Sequence, residues 1–107
     1  MRRLDFAGAE RRRRSRVAQM VTHRRLLRGS LTVRKNTCGK PNCRCSRGEP
    51  HLSLYVTHSH NGKPRQLFVP KSWEARVRQA VEDYQELQKL IEELSEIEWQ
   101  HLEHREE

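Results

Sequence analysis

The sequence predicts an α+β protein: an N-terminal basic helix, a small antiparallel sheet of about three strands with a Cys-rich loop, and a long C-terminal amphipathic helix. Three observations predict it. Residues 10–28 contain neither Pro nor Gly and place Val17, Met20, Val21 and Leu27 near helical spacing. Two alternating runs, 52–60 and 63–69, flank Asn61-Gly62, the dipeptide that best tolerates the paired positive φ angles of a tight hairpin turn. After Pro70, a further run free of Pro and Gly repeats apolar residues three and four apart for more than two heptads.

Residues 1–9 are expected to be disordered and 10–107 to form a single small domain, since 107 residues leave no room for a second core. The helix 10–28 carries Arg11, Arg12, Arg13, Arg14, Arg16, Arg24, Arg25 and Arg28 against Glu10 alone. Like charges at this spacing cost a few tenths of a kcal/mol per close pair, so the helix calls for a tertiary partner or an anion. Gly29 is its expected stop. From Ser30 to Thr37, Leu31 and Val33 alternate with Thr32 and Arg34, a strand pattern.

The sheet region spans 30–70, and its hairpin register follows from the turn. With Asn61 and Gly62 in the loop, His60 faces Lys63. Val56 then meets Leu67 and Leu54 meets Val69 on one face, while Tyr55 meets Phe68 on the other. Pro64 cannot donate a ladder hydrogen bond, which predicts an edge position for the last strand. His58 and His60 are expected as surface histidines, one on each face near the tip.

In the long helix, 72–102, Ser72 is the expected N-cap and Glu74 sits in the first turn. Its stripe comprises Val77, Ala80, Val81, Tyr84, Leu87, Leu90, Ile91, Leu94 and Ile97. At 1.5 Å per residue it measures about 45 Å, more than the width of so small a sheet. The first half is expected on Leu54, Val56, Leu67 and Val69, and the second against the N-terminal helix or a second copy of the chain. Trp73 reads as a core anchor, Trp99 as an interface residue, and 103–107 as a frayed acidic end.

Charge narrows the function. Residues 1–81 hold 20 Lys and Arg against 4 acids, and residues 82–107 hold 2 against 10, for a net charge of +8. Such a basic body attracts polyanions, nucleic acid first and anionic lipid second, while the acidic tail can fold back and compete. With a mean hydropathy of −1.04, no run approaches the roughly 18 apolar residues of a membrane-spanning helix, so no membrane association is expected. The first ten residues lack the apolar stretch of a signal peptide, so the expected location is the cytoplasm, where disulfides are disfavoured. No Gly-rich phosphate loop, nucleophile elbow or convergent pair of carboxylates is legible, so neither enzymatic activity nor a small-molecule substrate is expected.

The three cysteines, Cys38, Cys43 and Cys45, crowd into one short segment, and His51 follows. Three thiolates and one imidazole make a closed tetrahedral zinc site, with His58 the alternative fourth ligand and Lys40, Arg44 and Arg47 offsetting the thiolate charge. The C-x4-C-x-C-x5-H spacing departs from the commoner C-x2-C pairs. Reduced thiols in a basic loop, or a redox-sensing disulfide between Cys38 and Cys43, therefore stand beside the zinc reading. A catalytic cysteine has least support, because no Cys, His and acid arrangement accompanies it.

Tyr55 and Phe68 read either as a platform that stacks bases or as a small second core under the N-terminal helix. Phosphate contact is expected from Arg11, Arg12, Arg13, Arg14, Arg24, Arg25, Arg28, Lys35, Arg44, Arg47 and Lys63, with Arg34 or Arg65 reading bases. These residues point to a non-enzymatic nucleic-acid-binding protein, DNA preferred over RNA, with the cysteine loop as a structural clip. The competing expectation is an interaction module that dimerises or binds a partner helix through 73–102 as a coiled coil.

Certain stretches are familiar: Arg28-Gly29-Ser30-Leu31, Cys38-Gly39-Lys40-x-x-Cys43-Arg44-Cys45 and Gly48-Glu49-Pro50-His51. A two-strand unit follows, then a helix with Tyr84-x-x-Leu87 and Leu94-Ser95-Glu96-Ile97. Together they resemble a family of short uncharacterised bacterial proteins, a domain of unknown function marked by CGKxxCRC…GxxH. The resemblance covers roughly two thirds of the chain and implies no settled activity. In that family the histidine is typically followed by Gly-Pro and a tyrosine-rich strand, whereas His51 precedes Leu52-Ser53-Leu54-Tyr55. Three short strands, a helix and a basic Asn61-Gly62-Lys63 tip are also similar to the arm-site DNA-binding domains of phage-type integrases, whose sheet lies in the major groove. That likeness of architecture implies DNA contact through the sheet.

Overall fold

The computed structural model describes residues 6–36, 48 and 51–105. Its elements are α1 (Gly8–His23), β1 (Ser30–Asn36), β2 (His51–His60), β3 (Lys63–Val69), a 3-10 turn (Lys71–Trp73) and α2 (Glu74–Glu103). This is the α+β architecture the sequence predicts. The N-terminal residues 1–5 and the last two, 106–107, lie outside the described residues. The chain forms two compact units: a helical unit, Met1–Leu26 with Glu82–Glu107, and a sheet unit, Leu27–Val81.

In the helical unit α1 begins at Gly8, inside the stretch expected to be disordered, and ends at His23 rather than Arg28. Arg24 is already extended, with φ −115° and ψ 148°, although its N–H still donates to the Met20 carbonyl. Propensity does not explain the stop, since nothing in 24–28 breaks a helix. The Leu27 N–H, which a continuing helix would give to His23, instead donates to the carbonyl of Ala80 at 3.1 Å. Met20, with no exposed surface, and the buried Leu87 form the apolar centre of this unit.

The sheet has the order β1-β2-β3, antiparallel throughout, with β2 in the middle. The observed hairpin register pairs His60 with Lys63, Val56 with Leu67, Tyr55 with Phe68 and Leu54 with Val69, as the turn chemistry predicts. Asn61 at φ 52° and Gly62 at φ 76° supply the two positive angles that a type I′ turn demands. Pro64 lies on edge strand β3, where its missing donor costs the ladder nothing. His58 and His60 do not take opposite faces: two residues apart on one strand, they share a face, opposite Arg65 and Lys63.

Gly29 has a different task from the expected helix stop. A Cβ there would lie 2.8 Å from Val56 Cγ2 and 3.1 Å from the Thr57 carbonyl oxygen, so its bareness lets the chain enter β1 close against β2.

Leu54, Val69, Ala80 and Val81 are the buried apolar residues of the sheet unit. Leu67, expected beneath the helix, is instead 61% exposed. On the rung that pairs Leu54 with Val69 both residues are buried, whereas on the rung that pairs Val56 with Leu67 the central-strand Val56 is half-buried and Leu67, on the edge strand, is exposed. Ser72 lies inside that turn rather than capping the helix. Trp73 is not a core anchor: the turn buries none of its residues, and the Arg76 guanidinium sits over the Trp73 ring at 4.3 Å.

Candidate nucleic-acid interface

Folding sorts the charges differently from their order along the chain. The helical unit contains 11 Lys and Arg and 12 acids, whereas the sheet unit contains 11 Lys and Arg against 2 acids. The reason is visible in the ion pairs. Arg13 Nε lies 2.7 Å from Glu93 Oε2, Arg16 Nη2 is 3.2 Å from Glu86 Oε2, and Arg24 Nη1 is 3.9 Å from Asp83 Oδ2. Residue numbers rise along α1 as they fall along α2, so the helices run antiparallel and the acidic end of the chain neutralises the basic helix. Arg14 turns within α1 to the buried Glu10 at 3.3 Å.

Arg13–Glu93 and Arg16–Glu86 are partly exposed, which limits each to about 0.2–1 kcal/mol. They specify the alignment of the helices more than they stabilise it. Asp83 is also buried, and no buried side-chain polar atom lacks a partner among the described residues. Arg11 and Arg12 have no ion pair among the described residues and line a shallow depression with Gly8, Ser15, Arg16 and Gln19. Of the arginines expected on phosphate, Arg13, Arg14 and Arg24 are thus committed to carboxylates, while Arg11, Arg12, Arg25 and Arg28 stay exposed.

None of the three strands contains an acid. Alternation divides their polar and aromatic side chains between two faces. On one, Thr32, Tyr55 and Phe68 share a rung. The Tyr55 and Phe68 rings meet edge to face, with centroids 5.8 Å apart and planes at 67°. The Arg34 guanidinium lies 4.9 Å from the Tyr55 centroid, and Arg34 Nη2 donates to Gln66 Oε1 at 3.0 Å. Phe68 is 56% exposed, so it does not belong to a closed second core. It also borders a cleft of about 210 Å³ whose polar lining includes His51, Ser53, Lys71 and Glu74. The other face carries Lys35 near one end and the His58, His60, Lys63 and Arg65 cluster at the tip.

The cysteine ligands expected for zinc, Cys38, Cys43 and Cys45, lie outside the described residues, as do Arg44 and Arg47. His51 opens β2, exposed and opposite Asn36, the last residue of β1. The segment between them therefore leaves and rejoins the sheet on a single rung. His58 sits about 23 Å further along the strand, at the other end of the sheet. Among the described residues, no group of His, Cys, Asp and Glu gathers to hold a metal.

Sequence reasoning missed Gln66, Lys71 and Glu74 beside the aromatic pair; it expected the acidic half of the long helix against the N-terminal helix without singling out Asp83, Glu86 and Glu93. For the acids a signal existed: Glu86 and Glu93 stand one heptad apart with Asp83 three residues earlier, one stripe of an antiparallel helix pair.

The fold and surface together define a small α+β protein whose excess positive charge falls in the unit that contains its three-stranded sheet, four of the eleven Lys and Arg standing on acid-free strands. The chain belongs to the family described as a domain of unknown function (DUF6788), whose model matches residues 7–79. That span takes in α1, the cysteine segment and the whole sheet, and stops short of Asp83, Glu86 and Glu93. No curated protein and no solved structure matches the chain. No described helix is long and apolar enough to cross a membrane.

Proposed function

We propose that the protein is a non-enzymatic nucleic-acid-binding protein, DNA preferred over RNA, that meets the polyanion chiefly through its sheet unit. One observation carries the reading: Leu27–Val81 holds 11 Lys and Arg against 2 acids, while the helical unit is close to neutral. A field of one sign concentrated on a small surface is what attracts a phosphate backbone. Arg28, Lys35, Lys63 and Arg65 are the phosphate contacts of this unit, and Arg34, on the opposite face of the sheet beside Tyr55, is the base reader; Arg11, Arg12 and Arg25 of the helical unit are further candidates for phosphate. Arg44 and Arg47 belong to the same basic unit in sequence.

Titration of labelled DNA by fluorescence anisotropy at several salt concentrations tests the reading. The expected log–log slope is about −0.9 per phosphate neutralised on a duplex. A slope near zero would refute it.

In the same proposal, Cys38, Cys43, Cys45 and His51 hold one structural zinc ion that clips the end of β1 to the start of β2. The Asn36–His51 rung supports this by bringing both ends of the cysteine segment together. Metal analysis of the purified protein should find one zinc per chain, and a chelator should lower the thermal midpoint. A second reading, in which α2 docks a second copy or a partner helix, is favoured by exposed Ile91, Trp99 and Leu102. Sedimentation tests it.

A further inference from the structure

We propose that the aromatic face of the sheet binds single-stranded DNA by stacking an unpaired base on Phe68, with Lys71 meeting the adjoining phosphate at the neighbouring cleft. The inference rests on the nucleic-acid reading and goes beyond it by naming an unpaired strand and the side chain that grips it.

Phe68 is the starting point. Fully burying such a ring is worth about 1.5–3 kcal/mol, yet it stands 56% exposed on an edge strand. Its edge-to-face contact with Tyr55, 5.8 Å between centroids, leaves open a ring surface that face-to-face stacking would have closed. Tyr55 also carries a planar cation: Arg34 lies 4.9 Å from its centroid and is held at 3.0 Å by Gln66, two residues before Phe68 on the same strand. Guanidinium, phenol and phenyl thus cluster on one face of the sheet, with the exposed Phe68 ring on the edge strand. Every nucleobase offers a flat π face to such a ring. A base in a duplex has both faces occupied by its own stack and must be extruded first, which selects the unpaired strand.

The cleft of about 210 Å³ beside Phe68 extends the argument. Its ammonium at Lys71 suits a phosphate, its hydroxyl at Ser53 suits a base edge, and the half-buried Glu74 can accept from a base N–H such as thymine N3–H. Charge selects the class of partner, since the strands contain no acid and the unit is strongly basic. A peptide of acidic residues alone, such as polyglutamate, would satisfy the charge but offers Phe68 no ring to stack on.

The test uses the full chain, fluorescein-labelled oligothymidine, and a mixed-sequence DNA duplex. Phe68→Leu should weaken oligothymidine binding about ten-fold and change duplex binding by less than about two-fold. Phe68→Trp should restore the single-strand affinity, and Lys71→Gln should make its salt slope shallower. Circular dichroism must show each variant folded. The inference is overturned if folded Phe68→Leu binds oligothymidine like the parent protein, or loses both ligands equally. It is equally overturned if polyglutamate binding falls in Phe68→Leu as far as oligothymidine binding does. Should the parent bind the duplex in a salt-dependent manner while Phe68→Leu changes nothing, this inference alone fails. Should the parent bind neither DNA at low salt, the nucleic-acid reading fails with it.

Discussion

Replacing both Arg13 and Arg16 with alanine should loosen the helical unit and leave nucleic-acid binding almost unchanged. The two side chains end in pairs of 2.7 Å to Glu93 and 3.2 Å to Glu86, with partners between 33% and 44% exposed. Solvent screening at that exposure holds each pair to roughly 0.2–1 kcal/mol, so the double substitution should remove about 1 kcal/mol. For a domain near this size that is a fall of about 5 °C in thermal midpoint. The carboxylates left behind are part-exposed and rehydrate, so no large additional penalty for a stranded charge follows.

The counterpart is Lys63→Ala with Arg65→Ala at the exposed hairpin tip. Stability there should stay within about 0.5 kcal/mol, while the loss of two phosphate contacts makes the log–log salt slope shallower by about 1.8. Thermal melts by circular dichroism and anisotropy titrations on the same preparations read both quantities. If the Arg13 and Arg16 variant loses DNA affinity with its midpoint intact, those arginines serve phosphate and the assignment of binding to the sheet unit is wrong.

Met20→Ala removes the side chain with no exposed surface and should cost about 2–5 kcal/mol, read as a lower urea midpoint. Placing a methyl group at Gly29, where it would meet Val56 Cγ2 at 2.8 Å, should destabilise by about 1–3 kcal/mol and weaken amide exchange protection along β1 and β2. In contrast, Gly62→Ala meets nothing within 4 Å, so its cost of about 1 kcal/mol should come from the 76° φ angle alone. Changing Gly62 to Asn, which tolerates that conformation better, should recover part of the loss in the same urea titration.

The hairpin was legible residue by residue because its information is local. A two-residue turn sets the rung count, alternation sets the faces, and a slip by one would turn Leu54 and Val69 out of the core. The start of α1 and its stop were not legible, because the stop depends on Leu27 donating to Ala80, more than fifty residues away. Gly29 was misread for the same reason: its neighbours Val56 and Thr57 belong to another strand. Trp73 and Leu67 show the limit of apolar pattern as a guide to burial, since Trp73 falls in a 3-10 turn that buries none of its residues and Leu67 stands on an edge strand.

By itself the sequence determined the kinds of elements, the hairpin turn with its register, and a net charge of +8. Only the tertiary structure decided where that charge resides. Arg13 and Glu93 are 80 residues apart in the chain, and Arg16 and Glu86 are 70 apart. Coulomb attraction depends on distance in space, so these charges cancel only once α1 and α2 lie side by side. What remains in excess is the charge of the sheet unit, and within the arginine run 11–14 Arg13 and Arg14 are paired with carboxylates while Arg11 and Arg12 have no ion pair among the described residues.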